Sequence, residues 1–464
     1  MPYLLNIFYL LLLLAASPWL VWSAIRTGKY REGYAEKLLG LAPRRTSNKK
    51  CLWLHAVSVG EVNLLAPLLA LIQRERPDWE CVISTTTKSG MALAKKKYAG
   101  RTIFYCPLDF SWAVNAAMRR VRPDVLVLAE LELWPNLVWA ARRHGARIAV
   151  INGRLSQKSF KGYLRIRPLV SRLLRSVDRI AVQDDTYAER FRTLGARPGV
   201  VQVTGSMKYD GAQTDRDNPA TRRLAALAGL AAEDVVFLAG STQEPEESLA
   251  LQVFQQLSRD WPQLRLIVVP RHPERFDSVA RMLDASGVAW QRRTLLDPAA
   301  SRLQRQAEER KKTPRVLLVD VVGELGAWWG TAHVAFVGGS LGNRGGQNMI
   351  EPAAYAAAIS FGPNTRNFRD IVVALLDRDA AVVAADGEQL LTFVRDCLTN
   401  PAAAEARGQR AASLVRKQLG ATERTFQLLL PLVASPPAGP SGHPLAGREG
   451  LVWCELPEKP NVFR

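Results

Sequence analysis

Two stretches in the first half of the chain carry carboxylates where a parallel sheet would present them to a ligand. Glu61 follows the apolar run 52–57 and lies in the first turn of a predicted helix over 62–74. Glu130 and Glu132 come directly after a second apolar run. Ligands bind at the carboxyl ends of parallel strands. Glu61 is therefore a candidate general base facing a cleft, and Glu130 and Glu132 are candidate carboxylates on the same side of the sheet.

Each carboxylate also has a purely structural interpretation. Ser58 and Glu61 have the spacing of a helix capping box, in which Glu61 bonds back to a free backbone amide. A helix N-terminus lowers a carboxyl pKa, so a base at Glu61 needs desolvation or a second carboxylate nearby. Glu130 and Glu132 share a direction if their strip is extended, and both could then face Glu61. Alternatively, one of them caps the next helix.

Polar and glycine-rich sequence follows three predicted strands of the second half. Arg271 and Arg275 flank His272 after one strand, and Arg binds phosphate or carboxylate in a bidentate manner. A glycine-rich turn over 338–346 leads into a helix, where backbone amides can approach a phosphate. Glu351 after that turn suits a pair of ribose hydroxyls. Together these features predict a nucleotide site.

The sequence indicates neither a metal nor another cofactor. Its five cysteines are scattered without a CxxC pair, and its five histidines lack spaced partners. No Walker lysine motif and no Asp-x-Asp triplet is present. We therefore expect backbone amides and arginines, rather than a cation, to position the nucleotide.

The order of apolar runs predicts two successive doubly wound α/β units with a cleft between them. We assign 51–215 to the first unit, 216–432 to the second, with a linking helix over 218–232, and 433–464 to a Pro/Gly-rich tail. The predicted strands are 52–57, 81–86, 102–106, 125–129, 147–152, 179–183, 201–204, 235–239, 266–269, 316–319, 334–337 and 358–361.

The N-terminus predicts attachment to a membrane. Residues 4–25 carry no charge, and the run is about long enough to cross a ~30 Å hydrocarbon core. Pro18 leaves a re-entrant or interfacial anchor as the alternative to a single span over 1–25. The juxtamembrane segment 26–50 is strongly basic, which predicts a cytoplasmic location for the chain at the inner membrane and contact with anionic lipid.

The whole chain has 62 Lys and Arg against 43 Asp and Glu, a net charge of +19. Such an excess favours nucleic acid, an anionic membrane or a phosphorylated substrate as partner. The basic residues after position 50 are dispersed, and no module that combines basic and aromatic residues is visible. We therefore expect no nucleic-acid partner.

Five motifs, in order along the chain, resemble the family of 3-deoxy-D-manno-octulosonic acid (Kdo) transferases of lipopolysaccharide assembly. The likeness covers roughly residues 1–430. The motifs are WLHAVSVGE at 53–61, ELELWPN at 130–136, PRHPER at 270–275, GEL at 323–325 and NMIEP at 348–352.

The resemblance implies a GT-B fold and an inverting transfer of Kdo from CMP-Kdo to a lipid A precursor. Glu61 would be the general base, and Glu130 or Glu132 would tune or orient it. Lys208 is the candidate for pairing the sugar carboxylate. The resemblance also implies the residues that hold CMP, which are Pro270, Arg271, Gly323, Glu324, Leu325, Asn348 and Glu351.

The chain departs from the family pattern at four positions. Gln243, Gln347 and Asn364 stand where the family usually has histidine, and Leu131 where it usually has threonine. The amides keep hydrogen-bonding capacity but do not titrate. The difference concerns the contacts with the donor sugar and the identity of that sugar. The alternative function is another GT-B lipid glycosyltransferase with a different donor, such as a UDP-hexosamine.

Overall fold

A computed structural model of the chain describes residues 2–27, 32–296 and 314–434. It contains two seven-stranded parallel sheets. The strand order is β3-β2-β1-β4-β5-β6-β7 in the first sheet and β10-β11-β9-β8-β12-β13-β14 in the second. The strands are β1 Lys50–His55, β2 Trp79–Thr85, β3 Ile103–Tyr105, β4 Val125–Ala129, β5 Arg147–Gly153, β6 Arg179–Val182, β7 Val201–Val203, β8 Val235–Thr242, β9 Leu264–Pro270, β10 Trp290–Arg292, β11 Val316–Leu318, β12 Val334–Val337, β13 Ala358–Phe361 and β14 Ala381–Val383.

Helices connect the strands and cover both faces of each sheet. They are α1 Pro2–Thr27, α2 Tyr34–Leu39, α3 Val59–Glu75, α4 Lys88–Lys97, α5 Ser111–Val121, α6 Pro135–Arg143, α7 Gln157–Arg165, α8 Arg167–Leu174, α9 Asp185–Thr193, α10 Pro219–Leu227, α11 Glu246–Leu257, α12 Phe276–Ala285, α13 Leu325–Trp328, α14 Ile350–Ala354, α15 Arg369–Leu376, α16 Gly387–Thr399, α17 Pro401–Gln418 and α18 Ala421–Ala434. Each of the twelve predicted strands is present, with bounds shifted by a few residues.

Two strands were missing from the prediction, and both lie at the edges of the second sheet. β10 has the sequence Trp-Gln-Arg, whose residues are all partly exposed, and β14 has only three residues. A central parallel strand is buried on both faces and so appears as a continuous apolar run, whereas a short edge strand does not. The linking helix is shorter than predicted, because α10 ends before Gly229.

The last helix returns to the first unit. Phe426 and Leu429 of α18 are buried in the core that covers one face of the first sheet. Asp210 accepts hydrogen bonds from the amide of Gly420, at 2.7 Å, and from that of Thr422. The chain therefore crosses between the units twice, and residues 421–434 pack with the first unit although they follow the second. The predicted domain boundaries remain a prediction.

Helix α1 packs against the first unit through two polar side chains. Asn6 bonds the side chain of Ser111 at 2.7 Å and accepts from its amide at 2.9 Å. The Tyr9 hydroxyl donates to Asp109 at 3.0 Å. Many apolar side chains of α1 are exposed, including Leu4, Leu14 and Ile25. Among the helices that the structure describes, none is long and apolar enough to cross a membrane.

Candidate active site

Glu61 is held at the start of α3 by a cap that also buries it. Its Oε2 accepts from the Val57 amide at 2.8 Å and its Oε1 from the Ser58 hydroxyl at 2.8 Å, while Ser58 caps the helix. The predicted bond to a free backbone amide is thus present. Only 9% of Glu61 is exposed. Burial raises the Glu61 pKa more than the two donors lower it, and the charge of Glu130 raises it further.

Glu130 lies beyond β4 in a left-handed conformation, with φ of 58°. The strip 130–132 is therefore not simply extended, and the predicted alternation does not hold. Arg154 Nε donates to Glu130 Oε2 at 2.8 Å, and Lys208 Nζ lies 3.5 Å from Oε1. Lys208, predicted to bind the sugar carboxylate, is thus ion-paired with Glu130 and remains 41% exposed.

Glu132 has a different environment from Glu130. Its Oε2 accepts from the Trp134 indole at 2.9 Å. Burial, together with the charges of Glu61 and Glu130, raises the Glu132 pKa to about 7. The structure thus brings the three predicted carboxylates of the first unit within electrostatic reach of one another. We call Glu61, Glu130 and Glu132 the carboxylate cluster.

A cleft of about 860 Å³ separates the two units beside this cluster. The first turn of α3 contributes Gly60 to its wall. Lys208 and Arg154 line it from the first unit. The second unit contributes Asn348 and Asp370. Arg154 Nη1 lies 2.6 Å from Asp370 Oδ2, so an ion pair joins the two units across the cleft.

Three of the predicted donor residues lie together at the carboxyl edge of the second sheet. Pro270 ends β9, and Arg271 follows it with an exposed side chain. Asn348 Nδ2 donates to Glu351 Oε1 at 2.9 Å. Burial raises the Glu351 pKa, while the Asn348 bond and the charge of Arg271 lower it. Asn348 Oδ1 also accepts from the Ile350 amide at 3.1 Å, so Arg271, Asn348 and Glu351 form one connected group at this edge.

The GEL motif has a structural partner that the sequence did not indicate. Glu324 accepts from Arg293 Nε at 2.9 Å and from Nη2 at 2.8 Å, and also from the Trp328 indole. Gly323 precedes it with φ of 96°, and Leu325 begins α13. The carboxylate of Glu324 is thus engaged within the protein.

The glycine-rich turn does not cradle a phosphate in the way predicted. Glu246, at the start of α11 and 1% exposed, fills it. Its Oε2 accepts from the amides of Gln243 and Gly339, and its Oε1 from those of Ser340 and Leu341, over 2.7–3.0 Å. These amides are occupied by a protein carboxylate. The prediction that they bind phosphate is therefore wrong.

The three amide side chains that replace family histidines lie around this same turn. The backbone N–H of Gln243 donates to Glu246 Oε2, and Asn364 Nδ2 donates to the Leu341 carbonyl at 3.2 Å. Gln347 packs over Gly339, where an added Cβ would meet its Nε2 at 3.1 Å. Gly339, with φ of 66°, accommodates both the turn and this close approach.

Three residues of the site, Arg154, Asp370 and Glu246, were not among those predicted from the sequence. Arg154 follows β5 and Asp370 lies in the first turn of α15, so they occupy the strand-end and helix-start positions at which ligand clefts form. For Arg154 and Asp370, this position in the fold was the signal by which the sequence could have indicated a role in the site. Nothing in the sequence links Glu246 with a turn 93 positions later. Within the described ranges, no three His, Cys, Asp or Glu side chains gather as a metal site would require.

The fold and the site define a class of two-unit α/β enzymes that resemble GT-B glycosyltransferases. The UDP-GlcNAc 2-epimerase from Neisseria meningitidis, bound to UDP-GlcNAc, shares the fold with a TM-score of 0.50. It is 11% identical, and the alignment covers 82% of this chain and 100% of that chain. This likeness concerns the fold alone.

The sequence comparisons identify the family within that class. Residues 32–211 match the model of the 3-deoxy-D-manno-octulosonic-acid transferase (kdotransferase) family. The 3-deoxy-D-manno-octulosonic acid transferase of Bordetella pertussis is 32% identical over 425 residues, which are 89% of this chain and 94% of that protein. The crystal structure of the C-terminal CMP-Kdo binding domain of WaaA from Acinetobacter baumannii is 31% identical, with a TM-score of 0.37, over 42% of this chain and 95% of that chain. The chain belongs to the Kdo transferase family and is a glycosyltransferase, which confirms the resemblance seen in the motifs.

Proposed function

We propose that this protein transfers Kdo from CMP-Kdo to a hydroxyl of a lipid A precursor, with inversion, in lipopolysaccharide assembly. The observation that carries the proposal is Glu61. In a chain of the Kdo transferase family, a buried carboxylate of raised pKa lies beside the cleft between the two units. A carboxylate whose pKa is raised above its ordinary value is a stronger base, and is therefore better suited to remove a proton from a hydroxyl.

The step that Glu61 assists forms one bond and breaks another. The acceptor oxygen attacks the anomeric carbon of Kdo while its proton passes to Glu61. The bond from that carbon to the phosphate oxygen breaks, and CMP leaves with the electron pair. Arg271, Asn348 and Glu351 would hold the nucleotide together with the backbone at 323–325. Lys208, already beside Glu130, has further N–H donors for the sugar carboxylate.

The proposal includes attachment to the inner membrane through α1. Asn6 and Tyr9 face the first unit, while Leu4, Ile7, Leu14 and Ile25 are each more than half exposed. A helix with such a surface binds where apolar side chains can leave water. We propose that it holds the enzyme at the cytoplasmic face, beside its lipid acceptor.

The test is a mass-spectrometric transfer assay in detergent with CMP-Kdo and a tetra-acylated lipid A precursor. We expect the lipid to gain the mass of one or more Kdo units. Glu61→Gln should lower the rate at least about 100-fold, as loss of a general base does, and should retain CMP binding. Glu75→Gln, at the exposed end of the same helix, is the matched control. Transfer from a UDP-hexosamine in place of CMP-Kdo would overturn the proposal.

A further inference from the structure

A second feature of the first unit is a strongly basic surface over α7 and α8. Residues 155–177 contain six basic and no acidic side chains. The six are Lys158, Lys161, Arg165, Arg167, Arg172 and Arg175. All are exposed, and within the described ranges none forms an ion pair. The expectation of dispersed basic residues after position 50 is therefore wrong for this stretch.

The helices α7 and α8, which carry this basic surface, also line an apolar slot of about 100 Å³. Leu131 and Leu133 form one side of it. Leu169 and Leu173 of α8 form another, and Tyr163 and Ile166 lie at the junction of α7 with α8. The rim is also apolar, since Leu164 is 38% and Ile166 48% exposed. The apolar slot is the cavity lined by Leu131, Leu133, Tyr163, Ile166, Leu169 and Leu173. Leu164 lies on its rim and is not part of the lining.

The slot adjoins the carboxylate cluster. Leu131 and Leu133 are the chain neighbours of Glu132, and both pack on the core while Glu132 turns to Trp134. The charge of Glu132 adds to burial in raising the pKa of Tyr163, which places that ring within electrostatic reach of the cluster. A molecule that entered the slot would therefore lie beside Leu131 and Leu133, the chain neighbours of Glu132.

We infer that the slot binds part of an acyl chain of the lipid acceptor, and that the basic surface of α7 and α8 binds the acceptor's phosphate groups. The inference rests on the proposed function and deepens it. An acylated, phosphorylated sugar combines an apolar chain with negative charge, and the slot and the basic surface present complementary groups side by side. Each methylene group that leaves water contributes about 0.8 kcal/mol. The slot accommodates only a short stretch of one chain.

The alternatives fit the geometry less well. A membrane surface without the acceptor would use the basic side chains, but it would not need a cavity whose wall flanks Glu132. A protein partner would need no continuity with the carboxylate cluster. Both alternatives are separable by experiment from the acceptor.

The first experiment fills the slot. Leu169→Trp should raise KM for the tetra-acylated acceptor about ten-fold, which equals the lost burial of about two methylene groups. KM for the deacylated, still phosphorylated acceptor should change less than about two-fold. Leu164→Trp adds the same ring on the rim, outside the slot lining, and is the matched control. Should Leu169→Trp fail to fold, Ile166→Trp at the exposed edge of the slot tests the same point.

The second experiment removes charge from the surface. Lys158→Ala with Lys161→Ala should raise KM for the bisphosphorylated acceptor several-fold more than for its dephosphorylated form. The control is Lys95→Ala with Lys96→Ala on α4, which removes the same charge elsewhere.

The outcomes separate the inference from the proposed function. If the unaltered protein transfers no Kdo, the proposed function fails. If it transfers Kdo but Leu169→Trp raises KM for both acceptors equally, or for neither, the acyl-chain site is overturned. The variant Lys158→Ala with Lys161→Ala could also lose binding to anionic vesicles without any change in KM in detergent. That result would mean that α7 and α8 bind the membrane surface and not the acceptor, and it would overturn the inference.

Discussion

At the scale of single residues, one set of contacts serves both as a helix cap and as the environment of a candidate base. The Val57 amide and the Ser58 hydroxyl favour the ionised form of Glu61, whereas burial and the charge of Glu130 oppose it. The structural and the catalytic interpretations of Glu61 are therefore compatible. Burial is the largest influence on the Glu61 pKa. A capping motif in the sequence cannot reveal it, because burial depends on which residues pack around the start of the helix.

The first prediction concerns the pH dependence of transfer. A base acts only when it is deprotonated, so the rate should fall as pH is lowered through the raised pKa of Glu61. Glu130→Gln removes a like charge and leaves Arg154 and Lys208 nearby, so the falling limb should move to lower pH. The measurement is kcat/KM against pH, with Glu75→Gln as the control. An unmoved limb would show that the charge of Glu130 does not act on the titrating group.

The second prediction concerns stability and Glu132. Its pKa is raised from 4.5 to about 7 in the folded chain. Between these values the native state binds the proton and the unfolded state does not, so stability falls as pH rises through this window. Glu132→Gln removes the effect. Because the side chain is partly exposed, we expect a gain of only about 1–2 kcal/mol at pH 8.

The measurement for Glu132→Gln is Tm by calorimetry at two pH values. The variant should melt above the unaltered protein near pH 8 and together with it near pH 4.5. Glu233→Gln, an exposed carboxylate, should change Tm at neither pH. Equal gains at both pH values would attribute the effect to packing and not to ionisation.

At the scale of elements, the sequence predicted well what depends on local pattern. β4 and β12 are recognisable because a parallel strand covered on both faces must be apolar throughout. The same reasoning located the strand ends, and hence Glu61, Glu130, Arg271 and Glu351. It failed for the glycine-rich turn, because the turn's amides have a protein partner that is distant in the chain. Local composition cannot distinguish a turn whose amides are free to bind a ligand from one whose amides already bind a side chain of the protein.

The third prediction concerns that filled turn. Glu246→Ala would leave four amides without their acceptor, each costing about 1–3 kcal/mol if buried and unpaired. Since water can reach some of them after relaxation, we expect a loss of about 3–5 kcal/mol in unfolding free energy and weaker CMP binding. Denaturant unfolding and calorimetric titration with CMP measure the two effects. Glu405→Ala, exposed on α17, should affect neither, and a Glu246→Ala variant with unchanged stability would contradict the assignment.

The fourth prediction concerns the attachment of α1. Asn6 accepts from the Ser111 amide, the first of α5, and Asp109 caps α6 through the amides of Asn136 and Leu137. Asn6→Ala should therefore speed exchange of the Ser111 amide about ten-fold, as expected for loss of roughly one hydrogen bond. Hydrogen-exchange mass spectrometry of the peptide around Ser111 provides the measurement. Ser17→Ala, whose hydroxyl bonds only within α1, is the control, and equal exchange in all three proteins would mean that α1 is not held there.

At the scale of the whole molecule, the chain crosses between the two units twice, and the ion pair between Arg154 and Asp370 joins them across the cleft. Arg154 takes part in that pair and at the same time supports Glu130. The sequence predicted two units but not this connection, because its partners lie 216 positions apart. A side chain that contacts both the carboxylate cluster and the second unit links the arrangement of the units to the arrangement of the site.

The last prediction separates the two contacts of Arg154. Glu130 is 14% exposed and loses a charged hydrogen bond in Arg154→Met, so we expect kcat/KM to fall about 10- to 100-fold. Asp370 is 59% exposed, and an exposed ion pair contributes at most about 1 kcal/mol, so Asp370→Asn should lower kcat/KM less than about five-fold. Combining the two substitutions should cost no more than Arg154→Met alone, since the cross-cleft pair is already absent. Were Asp370→Asn as damaging as Arg154→Met, the contribution of Arg154 would lie in holding the units together and not in supporting Glu130.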